Sequence, residues 1–426
     1  MKTKTVTFLI LFLLLLPCIA FPQSKSAEVI IIDGVINPVV AEFITKAIRR
    51  AASEGAECLI IQMDTPGGLD LSMRSIIKEM LSSDIPVIVY VSPGGARAAS
   101  AGAIITLAAD IAAMAPGTNI GAAHPVSLGG GKMGEEMAAK VENDAAAYVE
   151  SIAIKKNRNK EWAIKAVRES VSITEQEALK INVIDLIASD LNDLLSQIDG
   201  REIKTASGVK KLTTKNIAVN YSEMGLREKI LDTLSNPNIA YILMMIGMLG
   251  LYFELSNPGA IFPGVIGVIS LILAFFAFQT LPVNYAGMLL ILLALILFIL
   301  EIKVTSFGML SVGGIISLTL GSLMLFDSSV PFLRVSYDFI IPVVAVTSAF
   351  FILAISLAVK AQRRKPTTGK EGLLGSTGIV KSKIDPQGKV FIHGEYWDAT
   401  SNEMIPEDTQ VEVIEVKDIG IKVKKA

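Results

Sequence analysis

Cysteine and histidine are nearly absent from the 426-residue chain, which has two of each: Cys18 and Cys58, His124 and His393. Cys18 lies inside an N-terminal apolar run, so removal of that run leaves Cys58 alone. An intramolecular disulfide and a Cys-based zinc site are then excluded, and two histidines cannot build a multi-histidine metal site. Charge is also scarce: 19% of residues are charged, against about 25% in soluble proteins. Lys plus Arg number 39 and Asp plus Glu 41, a net charge of -2. That balance offers no electrostatic footprint for wrapping nucleic acid.

What is abundant is hydrophobicity, at 51%, which excludes a disordered chain and argues against an ordinary cytosolic enzyme. At about 150 residues per domain the length predicts two or three units, and the apolar residues are concentrated rather than spread. Residues 1–20 carry Lys2 and Lys4, an apolar core from Val6 to Leu16, and small residues at Cys18 and Ala20. This pattern predicts a cleaved signal peptide; the alternative, an uncleaved anchor helix, has a short run to work with. A lipoprotein reading of Cys18 conflicts with Pro17, where a small residue is expected.

From residue 28 to 200 short apolar runs alternate with amphipathic segments. Glu28 to Asp33, Cys58 to Met63 and Pro86 to Val91 read as buried strands, and Pro38 to Ser53 and Leu71 to Ser82 as helices. Such alternation predicts an α/β domain with a largely parallel sheet. Residues 201–235 are polar and mixed in charge, as in a linker or surface helix. Over 236–359 five apolar stretches follow: Ile239 to Phe253, Ala260 to Gln279, Tyr285 to Leu300, Val304 to Phe326 and Phe339 to Val359. They predict about five transmembrane helices. The first is short and is followed by Ser256-Asn257-Pro258-Gly259; as a re-entrant or interfacial segment it would leave four spans and move the tail to the other side. Glu254, the one charge in the first three stretches, is either a functional intramembrane group or an interfacial residue. Lys360, Arg363, Arg364 and Lys365 mark the end of the last span as cytoplasmic. The tail, 369–426, alternates turns with strands at Thr377 to Lys381, Lys389 to His393, Thr409 to Val416 and Gly420 to Val423. A small all-β barrel of the OB type is expected there. Its Tyr396 and Trp397 read as base-stacking groups or, more simply, as core or interaction residues.

Two glycine-rich features follow two of the strands: Asp64-Thr65-Pro66-Gly67-Gly68 and Pro93-Gly94-Gly95. Ser100 then lies among small neighbours, in Ala98-Ala99-Ser100-Ala101-Gly102, where a substrate backbone could approach a hydroxyl at a helix start. Adjacent glycines can point N–H groups into one space, as an oxyanion hole requires. The plainer reading of each Gly-Gly is a turn.

Together with Ala115-Pro116-Gly117-Thr118-Asn119-Ile120-Gly121-Ala122-Ala123, these motifs resemble the long-form NfeD proteins. Those are membrane-bound serine proteases with a ClpP/crotonase-like domain, a multi-span region and an OB-like tail. The resemblance covers nearly the whole chain after residue 20. It implies a Ser-Lys dyad, with Ser100 as nucleophile and Lys140 as general base, and an oxyanion hole from the N–H groups of Gly68 and Ala101, shaped by Gly67. A lysine acts as base only when neutral, and burial among apolar groups favours that form; Met137, Ala138, Ala139 and Val141 flank Lys140. His124 falls where soluble ClpP-type peptidases place a triad histidine and is the alternative base. The resemblance further implies a stomatin/prohibitin-type membrane protein as substrate or complex member, and a homo-oligomer. No cofactor and no nucleic acid is expected. The competing readings are an SppA-like signal peptide peptidase, which would lack the spans and the barrel, and a non-enzymatic membrane scaffold, which would need neither Ser100 nor Lys140.

Overall fold

A computed structural model of the chain describes residues 25–127, 134–256, 259, 261–304, 306, 308–328, 330–362, 370–417 and 420–426. The expected signal peptide at 1–20 lies outside these residues, as do Arg363, Arg364 and Lys365. The chain divides into two compact units, 1–300 with 309–346, and 301–308 with 347–426.

In the first unit, β1 (Ser26–Asp33), α1 (Pro38–Ser53), β2 (Cys58–Asp64), α2 (Asp70–Leu81) and β3 (Val87–Val91) form in the expected places. After them come β4 (Arg97–Ala99), α3 (Ala101–Ala108), β5 (Ile111–Met114), β6 (Asn119–Gly121), α4 (Glu135–Lys155) and α5 (Lys160–Arg168). The domain continues with β7 (Ser172–Thr174), α6 (Glu175–Lys180), β8 (Leu186–Ile187) and α7 (Leu191–Ile198). Residues 201–235, expected as a linker or surface helix, hold the hairpin β9 (Glu202–Thr205) and β10 (Gly208–Lys211), the strand β11 (Ala218–Tyr221) and the helix α8 (Leu226–Leu234).

The main sheet has the order β11-β1-β2-β3-β5-β8, and every neighbouring pair is parallel. Ile30, Ile61, Val89 and Ala112 lie in one row across it. A parallel sheet is covered on both faces, so its strands read as continuous apolar runs, and all of β3 is buried. One face packs on Ile44, Ile48, Ile76 and Ile105 of α1 to α3, the other on Leu194, Leu195 and Ile198 of α7. A second sheet, β4-β6-β7, positions the turn that carries Ser100. Helix α1 starts where Asn37 Oδ1 accepts the Val40 N–H at 2.9 Å, with Pro38 following, an N-cap and N1 pair that fixes the start.

Five apolar helices follow: α9 (Pro237–Ser256), α10 (Ile261–Phe278), α11 (Tyr285–Lys303), α12 (Met309–Met324) and α13 (Tyr337–Gln362). Each coincides with one of the five apolar stretches, and two of them, α9 and α10, are long and apolar enough to cross a membrane. Small residues let α9 and α10 approach closely: a Cβ on Gly250 would lie 2.4 Å from the Pro263 carbonyl oxygen and 2.7 Å from Gly267 Cα. Glu254 faces this seam, its Oε2 2.9 Å from where a Cβ on Gly264 would lie.

The second unit contains α14 (Lys370–Leu373) and a closed barrel of β12 (Thr377–Ser382), β13 (Gln387–Ile392), β14 (Glu395–Thr400), β15 (Gln410–Lys417) and β16 (Gly420–Lys425). Four of the strands were expected; β14 was not. Trp397 packs against the barrel core, whereas Tyr396 is exposed, its ring 5.1 Å from that of Phe391.

Candidate active site

The parallel strands end in a cluster of backbone contacts around Ser100. Beyond β2 the chain enters Thr65, which is wholly buried. The Thr65 N–H donates to the Arg97 carbonyl at 2.8 Å, and the Ala99 N–H donates to the Thr65 carbonyl at 3.1 Å. Thr65 Oγ1 accepts the Gly67 N–H and donates to the Gly67 carbonyl, both at 3.1 Å. One side chain thus ties the Pro66-Gly67-Gly68 turn to the strand that delivers Ser100.

Ser100 caps α3 at φ 51° and ψ -116°. Positive φ is strained for a residue with a Cβ, and it is held here by the Ser100 N–H donating to the Gly121 carbonyl at 3.0 Å. The sharp turn presents the hydroxyl to Gly67: a Cβ on Gly67 would lie 2.7 Å from Ser100 Cβ and 3.2 Å from Oγ, and Gly67 has φ +123°. Only glycine fits there.

The amides around this turn can be accounted for one by one. Gly67 donates to Thr65 Oγ1, and Leu69 donates to the Ile36 carbonyl at 3.0 Å. Gly68 is wedged on Ile36, whose carbonyl oxygen is 2.3 Å from where a Cβ on Gly68 would sit. Among the described residues, the N–H of Gly68 has no acceptor, and neither does that of Ala101 in the first turn of α3. Two unused donors flanking a serine hydroxyl can stabilise an oxyanion formed by attack on a carbonyl.

The two base candidates differ in placement. His124 is half-buried, and its Nδ1 lies 2.9 Å from the Val167 carbonyl. A carbonyl only accepts, so Nδ1 carries the proton, and the place of a triad carboxylate is taken by backbone. Lys140 is exposed on the first half of α4 and forms no hydrogen bond with Ser100. The burial expected from its apolar flanks is absent, because α4 meets the core only from Ala145 onward, through Ala145, Ala146, Tyr148, Val149, Ile152 and Ala153. Met137 is itself exposed. Residues 128–133, which lead into α4, lie outside the described residues.

Arg74, which the sequence did not single out, makes contacts that tie α4 to α2. Arg74 Nη2 donates to Asp144 at 2.6 Å and its Nε to Asp70 at 2.8 Å, with the guanidinium 4.2 Å above the Tyr148 ring. Asp144 follows Lys140 by four residues, one helical turn on the same face, and Asp70 opens α2 directly after the glycine turn. Arg74 therefore links the helix of Lys140 to the loop of Gly68. No group of three or more His, Cys, Asp or Glu residues among the described residues could hold a metal ion.

Comparison with known proteins gives matches along the whole described chain. Residues 26–222 match the NfeD1b N-terminal domain, 238–357 the NfeD integral membrane domain, and 370–425 the NfeD-like C-terminal, partner-binding domain. The membrane-bound protease PH1510 of Pyrococcus horikoshii is 34% identical over 428 residues, spanning 98% of this chain and 96% of the relative. The membrane protein NfeD1b of Bacillus subtilis is 31% identical over 422 residues, spanning 95% and 93%. Among solved structures, a mutant of the 1510-N membrane-bound stomatin-specific protease with serine replaced by alanine is 36% identical, covering 48% of this chain and 100% of that one, at a TM-score of 0.45. A lysine-to-alanine mutant of the same protease, in complex with a substrate peptide, is 34% identical, covering 50% and 98%, at a TM-score of 0.46.

Proposed function

Because this chain belongs to the NfeD family of membrane proteins, we propose that it is a membrane-anchored serine endopeptidase that uses Ser100 and Lys140 to cleave apolar segments of membrane-associated proteins. Lys140, in its neutral form, removes the Ser100 proton as Oγ attacks the scissile carbonyl. The N–H groups of Gly68 and Ala101 receive the oxyanion, and the protonated lysine then delivers its proton to the leaving amine. Lys140 is exposed in the free protein. An apolar peptide lying between Ser100 and the flank formed by Met137 and Val141 excludes water from it.

The observation that carries this reading is the strained Ser100 turn, with its hydroxyl against Gly67 and two unused amide donors beside it. The test is peptide cleavage and fluorophosphonate labelling of the full chain. Ser100→Ala and Lys140→Ala are expected to abolish cleavage, while His124→Ala retains much of it; the reverse ranking of Lys140 and His124 would transfer the role of base to the histidine.

The substrate is a stomatin-type membrane protein, in keeping with the stomatin specificity stated for the 1510-N protease. The protease domain lies on the exported side, five helices cross the membrane, and the barrel is cytoplasmic. Support for this topology comes from the sequence: the N-terminal apolar run, the five stretches, and the cations from Lys360 to Lys365. A reporter fused to the C-terminus tests it, since a tail on the exported side removes one span.

A further inference from the structure

The glycine turn is braced from the side opposite Ser100 by a short run of backbone, and that run is also where the membrane region attaches. The Ile36 N–H donates to the Gly67 carbonyl at 2.9 Å, and the Ile36 carbonyl accepts the Leu69 N–H at 3.0 Å. Ile36 therefore grips the loop on both sides of Gly68. Its neighbour Asn37 has both ends of its amide engaged: Oδ1 accepts the Val40 N–H at 2.9 Å, and Nδ2 donates to Asp232 Oδ1 at 2.6 Å. Asp232 belongs to α8, which ends three residues before α9 begins at Pro237. The ion pair between α8 and α1, Lys46 with Glu228 at 3.7 Å, is long and partly exposed, and such pairs contribute little. The short, half-buried Asn37–Asp232 bond is charge-assisted and directional. Beside it a cavity of about 400 Å³ is lined by Leu69 and Asn37 from the protease domain, Asp232 and Asn236 from the α8–α9 junction, and Leu281 and Phe332 from loops between the apolar helices. There is consequently little packing to hold Asn37 in place if the bond to Asp232 is lost.

We infer that Asp232 is a positioning residue for catalysis: through Asn37 and Ile36, the root of the membrane region holds the Gly68 amide at the angle an oxyanion requires. The inference rests on the reading of Gly68 as an oxyanion donor. When Asp232 lets go, Asn37 keeps its cap on α1 but can rotate, the Ile36 carbonyl shifts, and Leu69 follows it through their hydrogen bond. The donor at Gly68 turns away from the developing charge while the rest of the peptide site is unchanged. Loss is thus expected in turnover rather than in substrate affinity.

The experiment uses the full chain in phosphatidylethanolamine–phosphatidylglycerol nanodiscs, with an apolar fluorogenic peptide and a peptide boronate that forms a tetrahedral adduct on the serine. Asp232→Ala is expected to lower kcat about tenfold, a part of what deletion of a whole oxyanion donor costs. KM should stay within about twofold, and boronate affinity should fall by the same factor as kcat/KM. Asp232→Asn keeps the acceptor oxygen and is expected to restore wild-type turnover. Asn37→Ser keeps the helix cap but cannot reach α8, so it should match Asp232→Ala, and the double variant should be no worse than either alone. If Asp232→Ala does not fold, Asn37→Ser and Asp232→Asn carry the same expectations. Unchanged kcat in Asp232→Ala, a loss confined to KM, or failure of Asp232→Asn to rescue overturns the inference. Ser100→Ala in the same assay separates the two readings: if it remains active, the serine-protease reading is what has failed.

Discussion

At the scale of single residues, the site is a problem of holding amides still. Thr65 does this with one hydroxyl, bonded to both the N–H and the carbonyl of Gly67, while its methyl lies 2.3 Å from where a Cβ on Gly102 would be. Thr65→Val keeps the shape and leaves a buried N–H unpaired, at a cost of about 1–3 kcal/mol. Expressed at the turn, this predicts a fall in kcat of about tenfold or more with KM nearly constant; Thr65→Ser should retain activity. Steady-state kinetics on the pair checks it, and equal activity of the valine and serine variants would contradict it. Cys58 makes the opposite point, that a nucleophilic atom can be silenced by its surroundings. It is free and wholly buried on β2, and burial, reinforced by the neighbouring Glu57 carboxylate, pushes its thiol up to about 12. At pH 8 the folded protein therefore holds almost no thiolate there, and alkylation is expected only after unfolding, read by peptide-resolved mass spectrometry. Residue-level reading of the sequence singled out Gly67, Gly68 and Ser100 by their small size, and the structure brings the glycine turn against Ser100. That reading overstated the burial of Lys140, because apolar neighbours along a helix do not reveal which turns of that helix reach the core.

At the scale of elements, β1 to β3 were legible as continuous apolar runs, α1 and α2 by their amphipathic period, and the five later helices by apolar length. Strands β4 to β11 and β14 were not read from the sequence, and two of them show why. In β11 only Val219 is even partly covered, and its partner β1 is nearly two hundred residues away in sequence, so nothing local announces it. In β14 the run Glu395-Tyr396-Trp397-Asp398 is largely exposed, and its pairing with β13 and β16, rather than apolar alternation, defines the strand. Within the membrane region the informative residues are glycines at helix seams. A Cβ on Gly250 would press on the backbone of Pro263 and Gly267, whereas one on Gly313 would meet nothing nearer than a Leu297 methyl at 3.5 Å. Backbone cannot give way as a side-chain tip can. Gly250→Ala is thus expected to force α9 and α10 apart and destabilise the protein by about 1–3 kcal/mol, while Gly313→Ala should be close to neutral. Thermal unfolding in one detergent compares them, and equal transition temperatures would show that the α9–α10 seam tolerates separation.

At the scale of the whole molecule, the proposed catalytic groups and the barrel fall in different compact units. Every group proposed for catalysis or its positioning lies between Ile36 and Lys140, or at Asp232, all in the first compact unit. The barrel has a core of its own, from Val380 to Val423, and its closure leaves no open sheet edge that another part of the chain must cover. Its match is to a partner-binding domain. A tethered binding domain raises the local concentration of a partner without altering the chemistry applied to it, an effect that can reach 10²-fold or more. Deleting residues 370–426 is therefore expected to leave kcat/KM for a short apolar peptide within about twofold. Cleavage of an intact stomatin-type protein in the same bilayer should fall by about tenfold or more. The isolated barrel, added in excess to the full chain, should then inhibit cleavage of the intact protein and not of the peptide. Parallel loss on both substrates would instead make the barrel a structural support of the protease, and undiminished cleavage of the intact protein would place recognition elsewhere, in the membrane helices or in the exposed first half of α4.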